Sequence, residues 1–401
     1  MKAVIYGAGN IGRGFIGQLF AASGYELTFI DVAEPVIDGI NQAGRYPVRL
    51  LSDSGGVDCW IEGVQAVNGR DPEKAAEAIA AADIMATAVG VRVLPRIAPV
   101  IAEGIKKRFA KNGSCLNIII CENLIDANKL LEKLIKEHLH ELEKDFFDKH
   151  IGLVEASIGR MVPLQTPEMQ DGNPLRICTE TYGFLPVDKD AFKGEIPRIE
   201  GMCPFSQFDF YLQRKLFIHN MGHAVSSYLG MLQGDEFLYQ AVRRGDIGYI
   251  VQNAMLESAL ALSAKFGASL PDLLGHIRDL LRRFSNRALR DTCARVGGDT
   301  TRKLGPQDRL IGAIRCCGEQ GIPPAFISLG CAAALFRHLE ENQQPQTPKA
   351  AAAALAEVSG LGASSPDAAG ILSFHSMITK KADFPELITA AADAAYKPGI
   401  I

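Results

Sequence analysis

An α/β N-terminal domain built on a mostly parallel sheet, followed by an all-α C-terminal domain, is the architecture that this 401-residue sequence predicts. Three observations carry the expectation. A single core stops growing at about 250–300 residues, so a chain of this length divides into domains. Strand-like and helix-like segments alternate over residues 2–183, as they do where helical crossovers join parallel strands. From residue 206 onward the apolar spacing is helical nearly throughout. We draw the domains as 1–195 and 196–401, with a proline- and glycine-rich passage over 171–204 leading from one to the other.

Residues 2–6 read as a short buried strand. Gly7-Ala8-Gly9-Asn10-Ile11-Gly12 follows at once, residues 13–22 keep apolar side chains at helical spacing, and 27–30 form a second strand ended by Asp31. Each part has a task in holding a dinucleotide. Gly7 permits the tight turn, Gly9 lets backbone approach a pyrophosphate, and Gly12 lets helix pack on strand, with the helix N-terminus facing the anion. Asp31 stands where a carboxylate accepts from the adenosine ribose hydroxyls and repels a 2′-phosphate, which favours NAD over NADP. A glycine turn of another α/β fold is the competing reading, and the strand–helix–strand context with the acid in place favours the Rossmann one.

The alternation continues. Residues 71–82 are an alanine-rich helix with Asp71 suited to its N-cap and Pro72 to its first turn. Strands follow at 84–89, 116–121 and 152–156, helices at 100–111 and 124–144, and a further strand at 176–183. Two strand ends bear on chemistry. Val89-Gly90 is placed to pass beneath a bound cofactor, and Asn123 ends the next strand with an amide that could address a reacting oxygen. A helix N-cap before Leu124 is the other reading of Asn123. Beyond the passage, helices are expected over 206–231, 236–266, 270–284, 308–317 and 324–339, and 343–365 reads as a surface excursion.

The stretch from Lys215 to His223 concentrates the chemistry of the second half. At about 100° per residue, Lys215, His223 and Asn220 fall at roughly 0°, 80° and 140°, on one broad face. That face carries a possible base, an amide and an imidazole. Lys215 and His223 lie about 12 Å apart along the axis, a span that suits a substrate several atoms long. Lys215 as a solvated helix charge is the alternative. To act as a base near neutrality, a lysine of ordinary pKa about 10.4 must be lowered by ~3 units, roughly 4 kcal/mol. His219 and His223 have the spacing of a helical zinc pair, but Asn220 stands where such a motif needs Glu and no third ligand is evident, so no metal is expected. Between helices, Arg295-Val296-Gly297-Gly298-Asp299-Thr300-Thr301-Arg302-Lys303 is a basic glycine-containing loop, either simply solvated or suited to an anion or polyol.

Net charge of −4 and 47% hydrophobic residues lack the basic excess that nucleic acid would require. No apolar run reaches the ~18–20 residues of a membrane span. The first strand begins at Lys2 without a leader pattern. Nine scattered cysteines, with no C-x-x-C pair, suit reduced thiols in a cytoplasm.

Taken together, several motifs resemble the polyol-specific long-chain dehydrogenases. They are residues 7–17, Cys121-Glu122-Asn123, Val187-Asp188-Lys189, Phe192-Lys193-Gly194, 215–223, Arg283-Phe284 with Asn286, Arg295-Val296-Gly297, Arg302-Lys303-Leu304 and Asp308-Arg309-Leu310. They run in order over most of the chain. The resemblance implies a Rossmann domain followed by a helical one, and metal-independent hydride transfer through a Lys-x-x-x-x-Asn-x-x-His motif. On it, Lys215 is the general acid/base, Asn123 and Asn220 hold the reacting oxygen, and His223, Arg295 and Lys303 contact substrate.

The pair expected from the resemblance is D-mannitol 1-phosphate and D-fructose 6-phosphate with NAD. Arg13, Arg160, Arg214, Arg295, Arg302 and Lys303 are candidate phosphate cations that sequence does not rank. The chain departs from the family pattern at Gly159, Arg287 and Gly298, positions that bear on the substrate. Rival expectations are the same chemistry on another polyol or a hexuronate, and a dinucleotide-sensing protein without catalysis. The partner expected is a small sugar phosphate or polyol, with neither nucleic acid nor membrane, for a monomer or homodimer.

Overall fold

Among the described residues, eleven strands precede Asp209: β1 (Lys2–Tyr6), β2 (Glu26–Asp31), β3 (Arg45–Ser52), β4 (Gly55–Glu62), β5 (Val64–Asn68), β6 (Ile84–Thr87), β7 (Leu116–Ile120), β8 (Ile151–Glu155), β9 (Ile177–Glu180), β10 (Leu185–Asp188) and β11 (Met202–Phe205). The computed structural model describes residues 1–111, 113–362 and 365–395. It divides by packing into two units, Met1–Phe208 and Asp209–Ile401.

In the first unit, six strands form one sheet in the order β5-β2-β1-β6-β7-β8, every pair parallel. Such strands are buried on both faces, which is why they read as continuous apolar runs. Ala3 and Ile5 of β1 enter one core with Phe15, Leu27, Phe29 and Ala86. Their neighbours Val4 and Tyr6 enter the other, with Ile30, Met85, Ile97 and Ile101. The strand order reverses at β1 and β6, and in open α/β sheets ligands bind beyond the carboxyl ends of the strands at such a point.

Residues 45–68 are strand where the sequence suggested no element. β3 pairs antiparallel with β4 and parallel with β9 to make a separate three-stranded sheet. Its alternation is masked by charge, because Arg49 and Arg176 both bond the Asp58 carboxylate and so hold the three strands together. On the same sheet the Arg45 guanidinium lies 4.7 Å from the ring centre of Trp60, which is 46% exposed.

The helix expected over 124–144 is two helices, Ala127–Lys136 and Glu141–His150. The second starts afresh where the Glu143 carboxylate accepts from the His140 amide at 2.8 Å. The helix expected from 100 begins earlier, at Leu94, with a proline in its first turn.

The second unit is helical among its described residues: Asp209–Leu232, Leu238–Arg243, Gly245–Phe266, Leu270–Phe284, Ile311–Glu319, Ala325–Glu341, Pro348–Ser359, Pro366–Thr379 and Phe384–Ala395, with short turns between. The expected excursion over 343–365 contains the helix Pro348–Ser359, and residues 363 and 364 lie outside the described ones. Thr347 caps that helix through the Ala350 amide, Gly360 ends it at φ 65°, and Ala351, Ala354 and Leu355 form its buried stripe. No described helix is long and apolar enough to cross a membrane.

Candidate active site

The glycine run after β1 forms a cradle in the first unit. Gly7 has φ 106°, a conformation that favours glycine, and a Cβ there would stand 2.4 Å from the Ala88 carbonyl oxygen. A Cβ on Gly12 would lie 1.9 Å from the Gly7 oxygen, so helix and strand touch at that point. A Cβ on Gly9 would meet nothing within 4 Å. The backbone is helical from Asn10, so Asn10 and Ile11 stand at a helix N-terminus with amides available to an anion, whereas the Ala8 amide is taken by Asp31.

Asp31 ends β2 beside this cradle. Its Oδ2 accepts from the Ala8 amide at 2.6 Å, and its Oδ1 from Val32 and Ala33 at 2.7 and 2.9 Å. A carboxylate has about four acceptor sites, so one remains on Oδ2 for a ribose hydroxyl. The residues present therefore fit a dinucleotide. Beyond β6, the Val89 and Gly90 amides donate to the two oxygens of Glu122 at 3.1 and 2.8 Å. Glu122 is buried, and burial pushes its pKa up against the pull of these amides. The sequence assigned it no role. Its neighbour Asn123 is exposed and does not cap a helix, since the next one starts at Ala127 behind Asp126.

Arg13 and Arg160, both candidate phosphate cations, are buried in this unit. Arg13 donates to the carbonyls of Ala8 and Leu175 at 2.6 and 2.5 Å. Arg160 bonds the Tyr182 and Gly14 carbonyls and the Gln18 side chain, and its guanidinium lies 4.5 Å from the Phe15 ring centre. Both bind the opening of the glycine helix.

In the second unit, residues Lys215–Asn220 form a π turn inside the helix Asp209–Leu232. This resolves a difficulty in the sequence reading. On an α-helix Lys215 and Asn220 stand about 140° apart. A π turn, with i→i+5 bonding, winds about 4.4 residues per turn and brings them to roughly 50°. The lysine and the amide thus share one face.

His223 follows three residues after Asn220. Its ring centre is 4.9 Å from that of Phe284, and its Nε2 lies 3.7 Å from the Asp291 carboxylate. Nε2 is buried with no hydrogen-bond partner. Burial lowers the His223 pKa to about 4, with Asp291 opposing the shift and Arg295, Arg309 and Lys303 reinforcing it. The imidazole is therefore neutral near pH 7 and can donate or accept. His219, the other half of the possible zinc pair, is buried against the same Phe284 ring. Among the described residues, no group of three or more His, Cys, Asp or Glu side chains is placed to hold a metal ion.

The basic loop is two short helices, Cys293–Gly297 and Thr300–Lys303. Arg295 bonds both oxygens of the buried Asp291. Arg302 bonds Asp299 at 2.6 Å and Asp308 at 3.2 Å. Lys303 is buried and donates to the carbonyls of Val296 and Gly298, and burial, with Arg309 and Arg302 nearby, lowers its pKa to about 8. His223, Asp291, Arg295 and Lys303 thus form one polar cluster. Asp291 was missed in the sequence, although its i,i+4 spacing to Arg295 is the signal that could have found it.

Residues 1–201 match the family described as mannitol dehydrogenase Rossmann domain, and 207–389 match the mannitol dehydrogenase C-terminal domain. Among solved structures, the chain is similar to a D-sorbitol dehydrogenase in substrate-free form. The TM-score is 0.78 at 17% identity, over 97% of this chain and 94% of that one. It is also similar to Pseudomonas fluorescens mannitol 2-dehydrogenase in a ternary complex with NAD and D-mannitol, with TM-score 0.75 at 15% identity over 99% and 95%.

Proposed function

The chain belongs to the mannitol dehydrogenase family, and from that premise we propose that it is an NAD-dependent oxidoreductase interconverting D-mannitol 1-phosphate and D-fructose 6-phosphate. The observation that carries the chemical part is the π turn, which puts Lys215 and Asn220 on one face. NAD, when bound, supplies the hydride acceptor.

In the oxidation direction the Lys215 amine takes the hydroxyl proton as the C–H hydride departs, leaving a ketone. The Asn220 side-chain amide donates to the same oxygen as charge develops on it. Neutral His223 and the Arg295–Asp291 pair hold hydroxyls farther along the sugar chain. A lysine as acid/base needs no metal, in keeping with Asn at position 220. The phosphate part rests on the excess of cations in the segment from Asp291 to Arg309, where four Arg or Lys face three Asp. Nine free thiols suit the cytoplasm, and either a monomer or a homodimer is compatible with the chemistry.

The test is turnover on a panel of mannitol 1-phosphate, mannitol, sorbitol, fructose 6-phosphate, fructose and fructuronate. Phosphorylated substrates are expected to dominate, and activity on unphosphorylated ones alone would sink the substrate assignment. Lys215→Ala is expected to lose about 10²–10⁴-fold in kcat while still binding NAD. Full hydride transfer by that variant would remove Lys215 from the mechanism.

A further inference from the structure

Buried donors in native proteins nearly always have partners, so an unmatched one inside a charged cluster calls for an explanation. Arg309 has one. Its side chain is 9% exposed, its Nε donates to Asp308 Oδ1 at 2.7 Å, and its Nη2 is buried with no hydrogen-bond partner. The other cations of the segment differ. Arg295 and Arg302 are more than a third exposed and face carboxylates with two nitrogens each. Lys303 is buried, and two of its three N–H donors go to backbone carbonyls. Arg309 alone among these four has a buried nitrogen with no hydrogen-bond partner at all.

It also lies in a segment, residues 291–309, that has four Arg or Lys against three Asp. Asp308 gives Oδ1 to Arg309 and Oδ2 to Arg302, so one carboxylate serves two guanidiniums. Arg309 is the largest charge acting on both Lys303 and Tyr228 and also acts on His223, which sets it amid the polar cluster. The Tyr228 hydroxyl is itself buried without a partner. Three residues on, a Cβ at Gly312 would stand 2.8 Å from a ring carbon of Phe217, so this part of the chain abuts the π turn that carries Lys215.

We propose that Arg309 is the specificity-determining residue of the substrate site, its guanidinium recognising the phosphate of a phosphorylated polyol with the Tyr228 hydroxyl beside it. A phosphate dianion offers acceptor oxygens to the unmatched Nη2 and to the Tyr228 hydroxyl, and meets the one cation by which the segment exceeds its carboxylates. The inference rests on the substrate reading above and says which of the cations carries it.

The experiment uses the full chain and compares wild type with Arg309→Gln, Arg309→Lys and Tyr228→Phe, measuring kcat and KM on mannitol 1-phosphate and on mannitol. Inorganic phosphate serves as a competing inhibitor. Arg309→Gln is expected to raise KM for the phosphorylated substrate by about 10- to 100-fold more than it raises KM for mannitol, and to weaken inhibition by phosphate. Tyr228→Phe, which keeps the shape, is expected to shift the same ratio about threefold to tenfold. Arg309→Lys keeps the charge without the fork and is expected to fall between, which keeps the test decisive if Arg309→Gln does not fold. Equal losses on both substrates, or an unchanged preference in the variants, would overturn the proposal. A wild type with no preference for phosphate overturns the substrate reading as well, and that result is visible before any variant is made.

Discussion

At the scale of single residues, Asp31 carries both a structural and a selective task. Its two oxygens collect three backbone amides, so the strand end and the glycine turn are fixed by the group that we propose receives the ribose. Asp31→Asn keeps one acceptor oxygen but turns an NH₂ toward an amide donor, at a cost of about 1–3 kcal/mol in stability. It also removes the charge that repels a 2′-phosphate. The ratio of kcat/KM for NAD over NADP is expected to fall at least tenfold or so, and an unchanged ratio would refute the role. The places of Asp31, at a strand end beside the glycine turn, and of Lys215, on a helix, were legible in the sequence because residue type and spacing sufficed. Glu122 and Arg309 entered only as members of motif stretches and Asp291 not at all, and none received a role, because what marks them is which amide or side chain each meets in the folded chain.

At the scale of elements, the second and third glycines of the turn, Gly9 and Gly12, work in opposite ways. Gly12 is required by helix–strand contact, since any Cβ there runs into the Gly7 carbonyl, whereas Gly9 faces open space. Gly12→Ala is expected to destabilise the fold by about 1–3 kcal/mol or more, as overpacking does. Gly9→Ala is expected to keep its melting temperature and lose NADH affinity, because the methyl group takes the place of the pyrophosphate. Melting curves and a fluorescence titration separate the two, and equal thermal losses would contradict the assignment. The β1–turn–β2 unit was legible because glycine punctuation and apolar runs agree. The strands at 45–68 were hidden because Arg45, Arg49 and Asp58 interrupt the apolar positions Tyr46, Val48 and Ile61 that enter the core, and because Arg49, Asp58 and Arg176 join the strands through charge. The π turn left no sequence signal, since a helical wheel assumes the α period it breaks.

At the scale of the whole molecule, buried titratable groups set the pH range of stability. Burial lowers the pKa of His223 to about 4 and of His276 to about 3. Between those values and about 6.5 the unfolded chain binds protons that the folded one refuses, so stability falls as pH drops through that window. Burial raises Glu155 to about 7 and Glu257 to about 8, and there the folded chain keeps protons that the unfolded one has released. Stability from these two is lost as pH rises from about 4.5 toward 8. Together the groups favour a maximum between about pH 4.5 and 6.5. Glu257 accepts from the Phe326 and Ile327 amides at a helix start, so Glu257→Gln weakens that cap but cannot ionise. Denaturant midpoints at pH 6, 7 and 8 are expected to decline less steeply in this variant than in wild type, and parallel slopes would refute the account. The single tryptophan of the chain, Trp60, lies under Arg45 on the small sheet of the first unit. Intrinsic emission therefore works as a gauge of Met1–Phe208 alone, and the melting of the helical half must be followed by circular dichroism.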